Sequence, residues 1–374
     1  MKVLTQQQAT EKLLAVLPAD IQILSDLFTE KGFDLFLVGG CVRDAFLDKN
    51  PKDFDVATNA LPNQIIEILT KANITNQLQG ADFGVVVARM SEDIEIATFR
   101  TDADSGTGSN KETKVTVGVT IEDDVQRRDL TINALFMNLH THEIIDLVGG
   151  IKDLNDGVIR TVGEASQRFA EDNLRKLRCI VRAIKDGFQI EDKTLHAIKN
   201  DPSLNVTKER IITELFKIDS EFNTLKKLLF ESNLIFEILP NFNITNTETN
   251  TIVSLDSMFA NILQNESLED LNNKLNELKF PTTLSNNICF LIKFMKMDLT
   301  EINPFHFLKD RQKTKISNED LILFFDNDKN IIELIKFKIK SDLSQELMNQ
   351  GFKGKDLGLA IESFCFQNRT NILK

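Results

Sequence analysis

The stretch Leu35-Phe36-Leu37-Val38-Gly39-Gly40-Cys41-Val42-Arg43-Asp44 restricts this chain more than any other. Its four leading apolar residues have the length of a buried strand, and the run stops at two glycines. Glycine has no Cβ, so the backbone can turn sharply there and bring its N–H groups against a ligand. Val42 to Leu47 reads as a helix start, which puts those N–H groups at the positive end of a dipole, a place suited to phosphate.

Lys52-Asp53-Phe54-Asp55-Val56 follows closely. If Phe54 to Ala57 forms a strand, Asp53 and Asp55 share one face and Phe54 points to the other. Two acids on one face repel unless a cation lies between them. Carboxylate-bound Mg²⁺ meets that need when phosphate is the substrate. An isolated pair of this kind is commonly a solvated loop; the strand–glycine–helix unit ahead of it favours a functional reading.

The totals narrow the classes. At 374 residues the chain has room for two or more cores, and no uninterrupted apolar run approaches membrane-spanning length. The N-terminus carries Gln6, Gln7, Gln8 and Glu11 where a signal peptide would need a basic tip and apolar core. Cys41, Cys179, Cys289 and Cys365 are scattered without a CxxC, so a reduced cytoplasmic protein without disulfides or structural zinc is expected. A net charge of −12 argues against indiscriminate coating of nucleic acid, leaving local patches for any RNA contact. Tyr and Trp are absent while Phe reaches 27, so any stacked base must rest on Phe or Arg planes.

Along the chain, residues 1–34 predict helices broken at Pro18 and ended by Gly32. Another helix follows Pro62, with Ile65, Ile66 and Leu69 as its buried stripe. Phe83 to Ala88 and Ile94 to Arg100 read as a hairpin. Glu95 projects opposite Ile94 and Ile96, either as a third metal-site carboxylate or as the wet side of an edge strand. Thr101 to Lys114, with Asp102, Asp104, Gly106 and Gly108, is too polar to pack and predicts a mobile loop near the acids. In Asp123-Asp124-Val125-Gln126-Arg127-Arg128-Asp129-Leu130-Thr131-Ile132-Asn133-Ala134-Leu135-Phe136, charges precede an apolar run. The adjacent arginines suit a triphosphate or ribose, or form a solvated cluster at an element boundary. Val148-Gly149-Gly150 has no acidic pair behind it and reads as a turn; His140 and His142 read as structural hairpin residues. The chain has no His-Asp dipeptide, which argues against a phosphohydrolase of the HD type.

From Ser166 the period is helical. Arg168, Asp172, Arg175, Arg178 and Arg182 fall on one face, with Phe169, Leu174, Leu177, Ile180, Val181 and Ile184 opposite. Intrahelical ion pairs account for much of this pattern, but so much arginine on one stripe of an acidic chain favours a surface facing nucleotide or RNA. An Asp accepting beside an Arg donating suits the amino-donor and ring-acceptor edges of C and A, and rejects G and U. Beyond residue 200 helical patterns continue, with Pro240 to Asn250 as a polar candidate boundary. The basic runs Lys309, Arg311, Lys313, Lys315 and Lys336, Lys338, Lys340 read as solvated faces, with RNA-backbone contact as the alternative.

Taken in order, Gly39-Gly40-Cys41-Val42-Arg43-Asp44, Asp53-Phe54-Asp55, Arg127-Arg128-Asp129-Leu130-Thr131-Ile132-Asn133-Ala134-Leu135 and Arg168-Phe169-Ala170-Glu171-Asp172-Asn173-Leu174-Arg175 resemble the motifs of class II tRNA nucleotidyltransferases. That family comprises CCA-adding enzymes and bacterial poly(A) polymerases, and the resemblance spans roughly residues 20–240. It implies an α+β protein: a polymerase-β-like nucleotidyltransferase head with a small mixed sheet (1–138), a neck with a nucleotide-selecting helix (139–240), and an all-α body and tail binding tRNA (241–374). Asp53 and Asp55 would hold Mg²⁺, with Glu95 as a further catalytic candidate. Gly39, Gly40 and Arg43 would contact the incoming nucleotide, Arg128 and Asp129 its triphosphate and ribose, and Asn133 joins the same nucleotide-binding set. Asp172 and Arg175 match the protein template that selects C and A, and Arg178 lies one turn further on. Val181 stands where the family often has arginine, and Ser109 and Asn110 where basic residues are frequent.

The implied activity is Mg²⁺-dependent addition of C and A from CTP and ATP to the tRNA 3′ end, in the cytoplasm and away from membranes. Gly80-Ala81-Asp82-Phe83-Gly84-Val85 resembles the CCA-type strand more than the basic segment of poly(A) enzymes. A poly(A) polymerase, a CC-only or A-only enzyme and a non-catalytic RNA-binding relative are the alternatives. Oligomeric state is not legible in the sequence.

Overall fold

The computed structural model describes residues 3–79, 84–103, 114–247, 250–339 and 341–368. The chain packs as two compact units, Met1–Val206 and Thr207–Lys374. This single division falls between the expected boundaries at 138 and 240.

The first unit opens with α1 (Gln6–Val16) and α2 (Ala19–Glu30), separated at Pro18. Gly32, at φ +76°, takes the left-handed turn that stops the second helix. The chain then runs through β1 (Leu35–Val38), α3 (Gly40–Phe46), β2 (Val56–Thr58), α4 (Pro62–Lys71), β3 (Thr75–Gln79), β4 (Val85–Arg89) and β5 (Asp93–Thr98). After β6 (Arg100–Ala103), β7 (Lys114–Val117) and α5 (Ile121–Gln126) come β8 (Leu135–Asn138), β9 (Ile144–Asp146), α6 (Gly150–Asp156) and β10 (Val158–Ile159). The unit closes with α7 (Ala165–Glu171), α8 (Leu174–Asp186), β11 (Gln189–Ile190) and α9 (Asp192–Asn200). Seven strands form one mixed sheet in the order β3-β4-β5-β2-β1-β8-β9, parallel only between β2 and β5. One face carries Phe36, Val38 and Ala57 into a core with Phe99, Val125, Ala134 and Phe136. Phe36, Phe99 and Phe136 meet pairwise at ring-centroid distances of 5.5, 6.2 and 6.1 Å, tilted or edge to face as ring quadrupoles prefer.

Four expectations change here. Strand β2 begins at Val56, so Asp53 and Phe54 lie in the approach to it; only the Asp55 carbonyl joins the ladder, accepting from Val38 N at 3.1 Å. The proposed loop of 101–114 begins and ends as structure, with β6 and β7 paired antiparallel from Arg100↔Val117 to Ala103↔Lys114. Alternating Val115 and Val117 supply the β-branched side chains that a turn-residue count overlooks. The buried stripe of α4 is Ile65, Ile68 and Leu69, with Ile66 half-buried. The helix from Ser166 is two helices, interrupted where Asp172 turns extended at φ −145°, ψ 107°. The expectations for Gly80 to Phe83 and for Asp104, Gly106, Gly108, Ser109 and Asn110 lie outside the described residues.

The second unit is helical, from α10 (Lys208–Leu215) to α20 (Gly354–Gln367). Its core includes Phe290, Phe294 and Phe307, whose rings meet tilted or edge to face at 4.7 to 5.6 Å between centroids. The polar segment from Pro240 is no boundary: Asn243 N donates to Glu266, Thr245 N to the Ile262 carbonyl, and buried Lys226 Nζ to the Thr247 carbonyl. Its polarity serves internal hydrogen bonds, as buried backbone requires. Arg311 is spent on Thr314 Oγ1 and the Ile316 carbonyl, while Lys309, Lys313, Lys315, Lys336 and Lys338 are exposed; Lys340 lies outside the described residues. Among the described residues no helix is long and apolar enough to cross a membrane.

Candidate active site

The carboxylates come together through sheet register. Strands β2 and β5 pair in parallel with Val56 beside Ile96, so one step earlier Asp55 stands beside Glu95. Val56 and Ile96 point into the core, and Asp55 and Glu95 open to solvent on the other face. Asp53 lies two residues before Asp55, also exposed. Protein atoms crowd around the Asp55 carboxyl although solvent reaches it. That burial raises its pKa above the ordinary carboxylate range, the charges of Glu95 and Asp53 raise it further, and Arg128 opposes them. The cluster thus carries more negative charge than its surroundings balance, and it presents hard carboxylate oxygens. Such a donor set fits Mg²⁺, which takes one or two carboxylates and completes its shell with water and phosphate. Among the described residues no three of His, Cys, Asp or Glu lie together as a group that could hold a metal ion, and the Glu95 charge acts on Asp55 by raising its pKa. Cys41, whose thiol is pushed up to about 12 by burial and by Asp55, stays protonated and donates to the Val38 carbonyl at 3.3 Å.

The glycine turn forms the adjoining wall. Gly39 sits at φ +73°, a conformation other residues rarely adopt. A Cβ there would come within 3.9 Å of Arg128 Nη1, which sets that guanidinium against the turn. Arg128 also lies over the Phe136 ring, 4.4 Å from its centroid, a cation–π contact resting on the aromatic core. Its remaining support is Asp124, a residue to which the sequence pattern assigned no role. Asp124 is 0 % exposed. Its Oδ2 accepts from Arg128 Nε and Nη2 at 3.1 and 2.9 Å, and its Oδ1 from Arg127 Nε and Nη2 at 2.9 and 2.7 Å. The available signal was spacing: an acid three and four residues ahead of the two arginines, on the helical turn leading to them.

Other residues singled out by sequence face inward. Arg43 is only 7 % exposed; its Nε and Nη2 donate to Asp44 Oδ1 at 2.9 and 2.7 Å, and Nη1 donates to Asn133 Oδ1. Asn133 Nδ2 donates to Asp129 Oδ1 at 3.3 Å, and Arg178 Nη2 lies 2.8 Å from Asp129 Oδ2. Burial would raise the Asp129 pKa, yet Arg178, Asn133 and the Leu130 N–H together hold it below the ordinary range. Arg43, Asn133, Asp129 and Arg178 are therefore one connected polar chain behind the glycine turn, open to solvent at Arg178, whose side chain is 43 % exposed.

Asp172 and Arg175 stand at the break between α7 and α8. Asp172 Oδ1 accepts from Leu174 N at 3.1 Å, a turn that spans the break into the first residue of α8. Arg175 donates to Glu171 Oε2 at 2.5 Å, the Arg168 carbonyl at 3.3 Å and the Arg127 carbonyl at 2.8 Å. Arg168 pairs with Glu171 and donates to the Gln126 carbonyl, and Arg182 Nε lies 2.9 Å from Asp186 Oδ2. The arginine stripe thus ties the helix break to the Gln126-Arg127 backbone, and Arg178 is the member most open to a ligand.

Residues 35–160 match the family profile of the poly A polymerase head domain. Over 191 residues the chain is 38% identical to a CCA-adding enzyme of Lactobacillus helveticus, covering 50% of this chain and 47% of that one. Over 202 residues it is 37% identical to poly(A) polymerase I of Escherichia coli O157:H7, covering 50% and 42%. The chain therefore spans about half the length of the curated relatives it matches. The fold matches a solved structure of the Thermotoga maritima CCA-adding enzyme complexed with tRNA, with a TM-score of 0.72, 19% identity, and 99% and 96% of the two chains covered. The first unit is similar to the poly A polymerase head domain over residues 35–160, and the resemblance to class II tRNA nucleotidyltransferases rests on that similarity.

Proposed function

We propose that this chain is a nucleotidyltransferase that adds C and A to the 3′ end of tRNA from CTP and ATP, without a nucleic-acid template. The observation that carries the reading is the pairing of opposite charges beside the glycine turn. Asp53 and Asp55 form an under-compensated acidic cluster, and Arg128 faces them beside the glycine turn. A Mg²⁺–nucleoside triphosphate complements both, its metal meeting carboxylate oxygens and its phosphates meeting guanidinium and backbone N–H groups.

Bound Mg²⁺ at Asp53 and Asp55 would supply charge neutralisation on the phosphates and on the attacking 3′-hydroxyl. Burial, Glu95 and Asp53 raise the Asp55 pKa and Arg128 opposes them, favouring the carboxylate form that a metal takes. Arg128 and the Gly39-Gly40 turn hold the triphosphate so that its α-phosphate faces the primer hydroxyl, and pyrophosphate leaves in line. Asp172 and Arg175 select the base at its amino-donor and ring-acceptor edge, Arg175 giving three of its five N–H groups to protein acceptors. The four free cysteines accord with a reducing cytoplasm.

The deciding test is sequencing the 3′ ends made from a tRNA transcript that stops at the discriminator base, with each NTP supplied alone and together. Ordered C, C and A addition is expected. Long A-tails without C would replace this reading with poly(A) synthesis, and stops after CC or after A alone would restrict it. Binding of tRNA without any transfer would identify a non-catalytic relative. In the same assay Asp53→Ala should abolish CTP incorporation; near-full incorporation would remove the metal assignment.

A further inference from the structure

We infer that Asp124 is a positioning residue for the nucleoside triphosphate: one buried carboxylate aims Arg128 at the ligand and withholds Arg127 from it. This rests on the nucleotidyltransferase reading above but concerns a residue that touches no ligand.

The two oxygens of Asp124 divide the labour. Oδ2 takes the Nε–Nη2 edge of Arg128, which fixes the guanidinium plane and leaves the Nη1 end against the Gly39 turn. The Phe136 ring covers that plane, so the fork is held from its edge and its face. Oδ1 takes the corresponding edge of Arg127 and also the Arg100 N–H at 3.1 Å. Arg127 Nε in turn donates to the Arg100 carbonyl at 3.1 Å. The first residue of β6 is thus gripped on both its N–H and its C=O, and Arg127 is consumed in gripping it. The Arg127 carbonyl then accepts from Arg175. Two adjacent arginines that look interchangeable in the sequence therefore have different tasks. Arg128 presents charge to the ligand, while Arg127 ties the β6–β7 hairpin and the helix break to the same carboxylate.

A long side chain frozen before binding saves the ordering cost that a free one pays on association, which corresponds to about a tenfold gain in affinity. Asp124→Asn keeps the size but offers one acceptor oxygen and turns an NH2 donor toward the other guanidinium. The full chain carrying Asp124→Asn, Arg128→Ala or both would be assayed for KM and kcat with CTP on the tRNA transcript. Equilibrium binding of CTP and thermal melting would be measured alongside. The expected result for Asp124→Asn is a KM and CTP dissociation constant raised about tenfold, with any fall in kcat smaller than the rise in KM, and no further rise when Asp124→Asn is added to Arg128→Ala. Unchanged KM, or an equal rise in the Arg128→Ala background, overturns the inference. If Asp124→Asn fails to fold, Asp124→Glu keeps the charge and displaces the fork by one methylene; a folded Glu variant with unmoved KM overturns it equally. A wild-type chain that binds no nucleoside triphosphate overturns both readings, whereas an active wild type with insensitive variants overturns this one alone.

Discussion

Two acidic centres lie in the first unit, and their charge balance is opposite. At the edge of β2 and β5, Asp53, Asp55 and Glu95 share a neighbourhood opposed by Arg128. At the end of α5, the single carboxylate of Asp124 meets the two guanidiniums of Arg127 and Arg128. The first centre is open to solvent and over-negative; the second is buried and over-positive. A surplus of acids in reach of water costs little until a cation comes, and can be kept for a ligand. A buried carboxylate must be satisfied within the fold, because an unpaired charge there is expensive. Under the proposed function, the contrast separates residues that would meet a substrate from residues that hold them in place.

The largest expected effect breaks the buried centre. Asp124→Ala strands two guanidiniums without their acceptor and should cost about 3–5 kcal/mol of folding stability, read from denaturant unfolding. A cost comparable to a surface ion pair, below about 1 kcal/mol, would show that Asp124 is not the support described.

Next comes the open centre. Asp55→Asn should leave the melting temperature unchanged or slightly higher, since it relieves repulsion, while CTP incorporation falls about 10²- to 10³-fold. Loss of activity accompanied by an equal loss of stability would make Asp55 structural and erase the distinction between the centres.

The smallest effects come from pH, and they have opposite signs. The folded pKa of Asp55 is raised, so its contribution to stability is fully present below its unfolded value and is lost as pH rises through the folded one. The folded pKa of Asp129 is lowered, so its contribution is present above the unfolded value and is lost as pH falls through the folded one. Mg²⁺ competes with the Asp55 proton, so the rise in Tm on adding Mg²⁺ should be a few degrees larger at pH 7 than near pH 4, and absent in Asp55→Asn. An equal rise at both pH values would place the metal elsewhere.

Much of the first unit was legible in the chain. The apolar run before Gly39-Gly40 gave β1 and the turn, and the β-branched stretches gave β4 and β5 with Glu95 on the wet face. The acidic pair, Arg128 and the helix-break residues Asp172 and Arg175 were marked by residue type and spacing. Less legible were features whose local signal competes with a distant partner. Asp172 reads as helical by periodicity, yet the chain breaks there, and Arg175 leaves the helix face for the Arg127 carbonyl. Pro240 to Asn250 reads as a linker because its hydrogen-bonding partners, Glu266, Ile262 and Lys226, are far away in sequence.

The sequence by itself determined which atoms could do chemistry: carboxylates two apart, a glycine pair that alone permits φ +73°, and adjacent arginines. Those properties are local, set by side-chain type and backbone sterics within a few residues. Only the tertiary structure decided what each group is free to do. The parallel register of β2 with β5 brings Glu95 to Asp55, and the fold places Phe136 beneath Arg128 and one carboxylate, Asp124, between the two arginines. A charge acquires its role from what surrounds it in space, because desolvation and Coulomb forces act over a few ångströms without regard to distance along the chain.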